Sequence, residues 1–141
     1  MNFDLNAPLV PGRSAAGVRL GESINRVLEG NKPGNIEDRG EVTFYNFGEV
    51  SLFVCEGVIY QVGVHNGYSG AIRGVIIGTT IAEVNRLLGP VVEDEDDNLA
   101  VDGIQGWCFE STEFSPPFSE LADNLNATVK EMFVYLPRNT R

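Results

Sequence analysis

Gly74-Val75-Ile76-Ile77-Gly78-Thr79-Thr80-Ile81-Ala82-Glu83-Val84-Asn85-Arg86-Leu87-Leu88-Gly89 is the stretch on which the reading of this chain turns. It predicts a short buried strand over Val75 to Ile77, a glycine turn and a helix. Thr79 or Thr80 supplies the N-cap, because a hydroxyl there accepts a bond from an unpaired amide of the first turn. Thr80 followed by Glu83 fits a capping box. Ile81, Val84, Leu87 and Leu88 recur at helical spacing and form one apolar stripe. Gly89-Pro90 stops the helix, since glycine takes the left-handed cap and proline cannot continue.

The same phrase occurs once before, as Gly17-Val18-Arg19-Leu20-Gly21-Glu22-Ser23-Ile24-Asn25-Arg26-Val27-Leu28-Glu29-Gly30. Gly17 matches Gly74, Val18 matches Val75, Leu20 matches Ile77 and Gly21 matches Gly78. Ser23 replaces Thr80 as the cap, and Ile24 and Val27 match Ile81 and Val84. A gapless match through strand, turn and helix implies an internal duplication. Ile24, Val27, Leu28, Ile81, Val84, Leu87 and Leu88 are expected to be buried against a sheet.

After each unit come strand signals. Val42 to Phe47, Val50 to Cys55 and Val58 to Val64 are rich in β-formers, and the two-residue turns Gly48-Glu49 and Glu56-Gly57 separate them. In the third, Val58, Tyr60, Val62 and Val64 are expected on one face and Ile59, Gln61 and Gly63 on the other. Residues 31 to 41 read as a charged loop. The second half follows with Leu99 to Val101, the turn Asp102-Gly103, Gln105 to Ser111 and Val129 to Leu136. Aligned on that hairpin, Val101 stands at Phe47, Ile104 at Val50, Trp107 at Phe53 and Glu110 at Glu56. Residues 112 to 127, with Pro116-Pro117, are an insertion absent from the first half, within which Ser119 to Asn124 could form a helical turn.

The expected architecture is therefore α+β: duplicated strand-helix-meander units with the helices packed on one face of an antiparallel sheet. Residues 1–16 are a lead-in with an edge strand near Leu9 and Val10. Residues 17–73 and 74–141 are the two repeats of a single domain.

Glycine-aliphatic-x-aliphatic-glycine-x-Ser/Thr followed by a helix ending near Leu-Gly resembles the repeat unit of the β-lactamase-inhibitor-protein fold. It also resembles the outer-membrane assembly lipoprotein family SmpA. The resemblance implies helices on an antiparallel sheet, duplicated in the inhibitor, and a fold used for protein binding. The chain lacks a lipobox cysteine, an export signal and the inhibitor's paired-cysteine spacing.

Ten basic residues against twenty acidic ones give a formal charge of -10. That field repels nucleic acid and anionic membranes; it keeps the protein soluble or attracts a basic partner. Cys55 and Cys108 lie in apolar strand-like runs and are expected to be reduced. No stretch is long enough to span a bilayer, and the N-terminus is no signal peptide, so a cytoplasmic protein is expected.

Candidate chemistry is sparse. His65 is the single histidine and has no nucleophile elbow beside it. Glu93 to Asp97 fails the calcium-loop spacing, with Leu99 where the glycine is needed and Gln105 where the glutamate is needed. There is no phosphate-cradling loop, no metal-ligand cluster and no cofactor motif. The acidic run reads as a solvated loop or as a docking patch for a basic protein. Trp107 and Phe109 share a strand face that is either core-facing or an exposed aromatic anchor.

The function expected is a non-catalytic protein-binding module, most concretely an immunity protein neutralising a basic, nuclease-like toxin. Glu93, Asp94, Glu95, Asp96, Asp97, Asp102 and Trp107 are its expected contacts. The alternatives are a small-ligand binder or enzyme with a pocket between the sheet and the 112–127 insertion, and a structural subunit.

Overall fold

The computed structural model of the chain describes residues 3–94, 98–111 and 124–137. Its elements run β1 Ser14–Ala15, β2 Val18–Arg19, α1 Ile24–Leu28, β3 Asn35–Asp38, β4 Val42–Asn46, β5 Val50–Cys55 and β6 Val58–Val64. Then come α2 Ile81–Leu87, β7 Val91–Glu93, β8 Leu99–Val101, β9 Trp107–Ser111 and β10 Val129–Tyr135. The fold is mixed but dominated by antiparallel sheet, with two short helices among the described residues.

Both recognised phrases begin with the same backbone turn. Ala16 and Gly17 have φ of 57° and 78°; Arg73 and Gly74 have φ of 47° and 92°. Two consecutive left-handed residues make the tight hairpin turn that suits the twist of its arms. Ala15 pairs with Val18 across the first, and Ile72 bridges Val75 across the second. The strand expected over Val75 to Ile77 is thus only that bridge: the turn reverses the chain at once, and Ile76 is exposed.

The glycine turns that follow dock in matching fashion. Gly21 donates to the Ile59 carbonyl at 2.7 Å, and Gly78 to that of Val129 at 2.8 Å. Ile24 donates to Gly57 and Ile81 to Ala127, each at 2.9 Å. Each helix start is thereby tied to the start of the last strand of its own half. Ser23 caps α1 by accepting from Asn25, and Thr80 caps α2 by accepting from Glu83. Only half of the expected capping box forms, because the Glu83 carboxylate turns to Arg86 at 2.7 and 2.8 Å.

The eight-stranded sheet runs β3-β4-β5-β6-β10-β9-β8-β7. Each half gives a four-stranded meander, and the halves join at β6–β10, where Val64 pairs with Met132 and Val62 with Val134. Residues 31–41 are therefore not only a loop. β3 is an edge strand, exposed at all four positions, and so carries no apolar alternation for a sequence reading to find. β7 follows the Gly89-Pro90 stop directly and is equally hidden.

Two register shifts set the faces. One lies between Phe53 and Val54 against β6, the other between Val129 and Glu131 against β9. A one-residue slip sends the following side chains to the other face. Hence Ile59, Val62 and Val64 are the buried residues of β6, rather than Val58, Tyr60, Val62 and Val64; Val58 is exposed. Registers also correct the hairpin alignment. Val50 pairs with Val64 and Trp107 with Val134, so Trp107 stands at Val50, not Phe53. The connection Asp102 to Gly106 is longer than Gly48-Glu49 and absorbs the difference.

One core cluster gathers Ile24, Val27, Ile81 and Val84 with Val50, Leu52, Val54, Ile59, Val62, Val64, Leu99, Val101, Trp107, Phe109, Met132 and Val134. Leu28, Leu87 and Leu88 are only half-buried beside it, because they sit at the short helices' ends. A second, smaller cluster of Ala100, Cys108 and Phe133, with Phe53 and Tyr135 against it, consists of the strand residues in between. Cys55 and Cys108 are free thiols. The lead-in is strapped to the fold: Leu9 donates to Ala71 at 3.0 Å, Ala16 donates to the Tyr68 hydroxyl, and that hydroxyl donates to Ala7.

Candidate functional site

The second cluster borders the most polar constellation of the described residues. Strand alternation puts Ser51 and Phe53 of β5, Gly63 of β6, Glu110 of β9, and Glu131 and Phe133 of β10 on this face, with His65 just past β6. All of these but Gly63 line, with Arg39, Phe44, Asn46 and Gly48, an open cleft of about 340 Å³.

His65 is its centre. Its Nε2 lies 2.8 Å from Ser51 Oγ, and its Nδ1 lies 3.5 Å from Glu131 Oε1. Gly63 makes this possible, since a Cβ there would stand 2.6 Å from Ser51 Oγ and 2.9 Å from the Phe133 ring. Glu110 and Glu131 are opposite one another on β9 and β10. Burial, then the charge of Glu131, pushes the Glu110 carboxyl above its ordinary value. The neighbouring His65 ring, the largest influence on Glu131, outweighs burial there and holds its carboxyl below the ordinary value. At the rim, Arg39 Cζ lies 4.7 Å over the Phe44 ring while its guanidinium donates to Glu37 at 3.1 Å.

Serine, histidine and glutamate in this order invite comparison with a hydrolytic triad. The geometry does not serve one. Ser51 is fully buried, which keeps a substrate carbonyl from its hydroxyl. It lies in an interior strand, between Asn46 and Gly63, where backbone amides belong to the ladder and not to an oxyanion hole. The Nδ1 contact is long for a hydrogen bond. What the arrangement provides is a fixed imidazole and two half-buried carboxylates between phenyl rings. Among the described residues there is no group of three or more histidine, cysteine or acidic side chains that could hold a metal ion.

The expected contact residues are placed apart from this cluster, with one link. Glu93 is exposed at the end of β7. Asp94 accepts from the Asn98 amide at 2.9 Å and donates its own to Asn98 at 2.8 Å, closing the β7–β8 connection. Glu95, Asp96 and Asp97 lie outside the described residues, as do 112–123 of the insertion with most of its expected helical turn. Asp102 is exposed. Trp107 is fully buried against Phe109, with ring centroids 5.3 Å apart, so it faces the core and is not a surface anchor. The link is register: Leu99 pairs with Phe109, which brings Asn98 level with Glu110. Asp94 and Asn98 therefore stand at the end of the sheet where Glu110 and Glu131 sit.

Ser51, Glu110 and Glu131 escaped the sequence reading. Ser51 lies two residues from Glu49, whose carbonyl accepts from the His65 amide, so the β5–β6 register contains the signal. Glu110 and Glu131 depend on the β9–β10 and β6–β10 pairings between distant segments, which no residue type in the strands announces.

A second cleft of about 590 Å³ opens at the other end of β4–β6, walled by Val42, Cys55, Val58, Tyr60 and Leu136. Glu41 and Glu56 line it too, but its exposed wall is mainly apolar.

No protein-family model matches the chain, and neither does any curated protein. Among solved structures, the uncharacterized protein yfeY from Escherichia coli is similar at a TM-score of 0.59 and 15% identity, over 92% of this chain and 98% of that one. At that identity the likeness is one of fold: the two chains share an architecture along nearly their whole lengths.

Proposed function

We propose that this chain is a non-catalytic protein-binding module made of two copies of one helix-plus-meander unit. In this reading both helices cover one face of the sheet, as in the β-lactamase-inhibitor-protein and SmpA-like folds, and the other face meets the partner. The supporting observation is a comparison of equivalent positions. On the core side the halves agree in character at Val50 with Trp107, Leu52 with Phe109, Ile59 with Val129 and Val62 with Met132, and differ where Ser111 stands at Val54. On the second face they differ: Ser51 with Cys108, Phe53 with Glu110, Gln61 with Glu131, Gly63 with Phe133. The large core cluster therefore keeps its apolar character in both halves, while the smaller cluster on the second face is built from different residues in each, the mark of a face that has specialised.

The formal charge of -10 and the Asp94 carboxylate at the same end of the sheet as Glu110 and Glu131 suit a basic partner. The concrete form is a cytoplasmic immunity protein that covers the substrate-binding surface of a basic, nuclease-like toxin encoded beside it. The test begins with recovery of that partner from the native host and continues with its kinetics. Asp94, Asp96 and Asp97 changed together to Asn slow association at low salt, and Phe53→Ala speeds dissociation. Since exposed charges are screened beyond about 8 Å at physiological ionic strength, the first effect fades with salt. A partner bound with both rates unaltered refutes the assignment of this face.

A further inference from the structure

We propose that the cleft between Glu110, Glu131, Phe53 and Phe133 receives an arginine side chain of the protein partner, an inference that rests on the protein-binding reading above. Glu110 and Glu131 face one another on paired strands and are both half-buried, so they repel each other at short range. A cation placed between them relieves that repulsion; an anion does not enter. The walls are aromatic: the Phe53 and Phe133 rings meet edge to face with centroids 6.3 Å apart, and Phe44 extends the surface beyond Phe53 at 5.0 Å. Phenyl faces attract cations, and guanidinium, being planar and weakly hydrated, is better suited to them than ammonium.

The same cleft already contains one such contact. Arg39 lies over Phe44 with Glu37 as its carboxylate partner, a guanidinium on a ring with an acid beside it. Glu110 and Glu131 beside Phe53 and Phe133 repeat the acid and the rings in the middle of the sheet. A cleft of about 340 Å³ has room for one extended side chain and not for a folded element. The bidentate geometry open to guanidinium matches two carboxylates better than a point charge does.

The experiment titrates the full ¹⁵N-labelled chain at pH 7 and low salt with N-acetyl-arginine amide, and in parallel with N-acetyl-citrulline amide, its neutral counterpart of the same shape. Saturable shifts at the amides of Phe53, Glu110, Glu131 and Phe133, at least about tenfold weaker for citrulline and lost in Glu110→Gln/Glu131→Gln, are expected. Equal responses to both probes, or none to arginine, overturn the pocket. A native spectrum of the double variant shows that it folds; if it does not, Phe53→Ala replaces it in the same titration, and unchanged arginine binding there overturns the pocket as well. Should the arginine probe fail while Phe53→Ala still weakens the partner complex, the binding face stands and the arginine pocket falls.

Discussion

The two halves of this molecule are alike in their backbone devices and in most residues of the large core, and unlike across the second face of the sheet. Each begins with a left-handed pair, Ala16-Gly17 or Arg73-Gly74, and a glycine turn hydrogen-bonded to its own last strand. Each places a register shift at the same point, beside Val54–Ile59 or Ser111–Val129. The difference lies across the sheet, where one half offers Phe53 and Gln61 and the other Glu110 and Glu131 at the same positions. Backbone devices and apolar volume define the unit; the second face is where the halves hold different chemistry.

The largest effect comes from breaking the likeness in the core. Val27→Asp and Val84→Asp each put an unpaired carboxylate into the shared cluster, at a cost of about 3–5 kcal/mol out of a total of roughly 5–15. Both variants should lose the whole fold, because the halves share one core; a urea titration that shows one half surviving would divide the molecule in two. A smaller effect follows from making the halves more alike. Ser111 stands at the position of Val54 and is buried, and its hydroxyl has no hydrogen-bond partner among the described residues. Ser111→Val removes an unsatisfied polar atom and should stabilise by about 1 kcal/mol, or roughly 2–4 °C in melting temperature. An unchanged or lower melting temperature would show that this position is not equivalent to Val54.

The smallest effect sharpens the difference between the second faces. Glu110 has a raised folded-state pKa, so its stabilising contribution is present in acid and is lost as pH rises through the folded value. Glu110→Gln should therefore gain stability at neutral pH, by less than about 1 kcal/mol, and nothing below the ordinary carboxylate range. Glu131 has the opposite sign. Its folded pKa is lowered, so its contribution is present above the ordinary carboxylate range and is lost as pH falls through the folded value. Glu131→Gln should cost stability at neutral pH and little in strong acid. Urea midpoints from pH 3 to 8 for both variants check the crossing, and parallel curves would deny the carboxylate pair its two environments. The equivalent pair Phe53 and Gln61 titrates nowhere in that range.

Much of the fold was legible because it is written in local signals. Gly21 and Gly78 with their hydroxyl caps mark the helix starts, and β5, β6 and β8 end where turn residues say they should. The rest depends on pairing. β3 is polar and exposed throughout, so nothing in Asn35 to Asp38 separates an edge strand from a loop. Trp107 was misplaced by three residues, because residues 102–106 separate Val101 from Trp107 where only Gly48 and Glu49 separate Phe47 from Val50, and with it went the choice between core and surface. The candidate site was least legible. Ser51, His65, Glu131 and Glu110 converge from three strands and a strand end, and only the cross-strand pairings of Ser51 with Gly63, Gly63 with Phe133 and Glu131 with Glu110 bring them to one face.

The seam between β6 and β10 has a consequence for the order in which the chain is made. β6 is complete at Val64, yet its partner strand begins at Val129. A ribosome adding about 5–20 residues per second leaves the β6 edge without its mate for roughly 3–13 s. During that interval a strand whose core side is Ile59, Val62 and Val64 ends in open ladder groups, the kind of edge that recruits other chains. Closing the seam then demands the longest connection between any two paired strands of the described residues, so it should be a late event that gates folding as a whole. Nascent chains released before Val129 should accumulate in aggregates, while those carrying β10 fold.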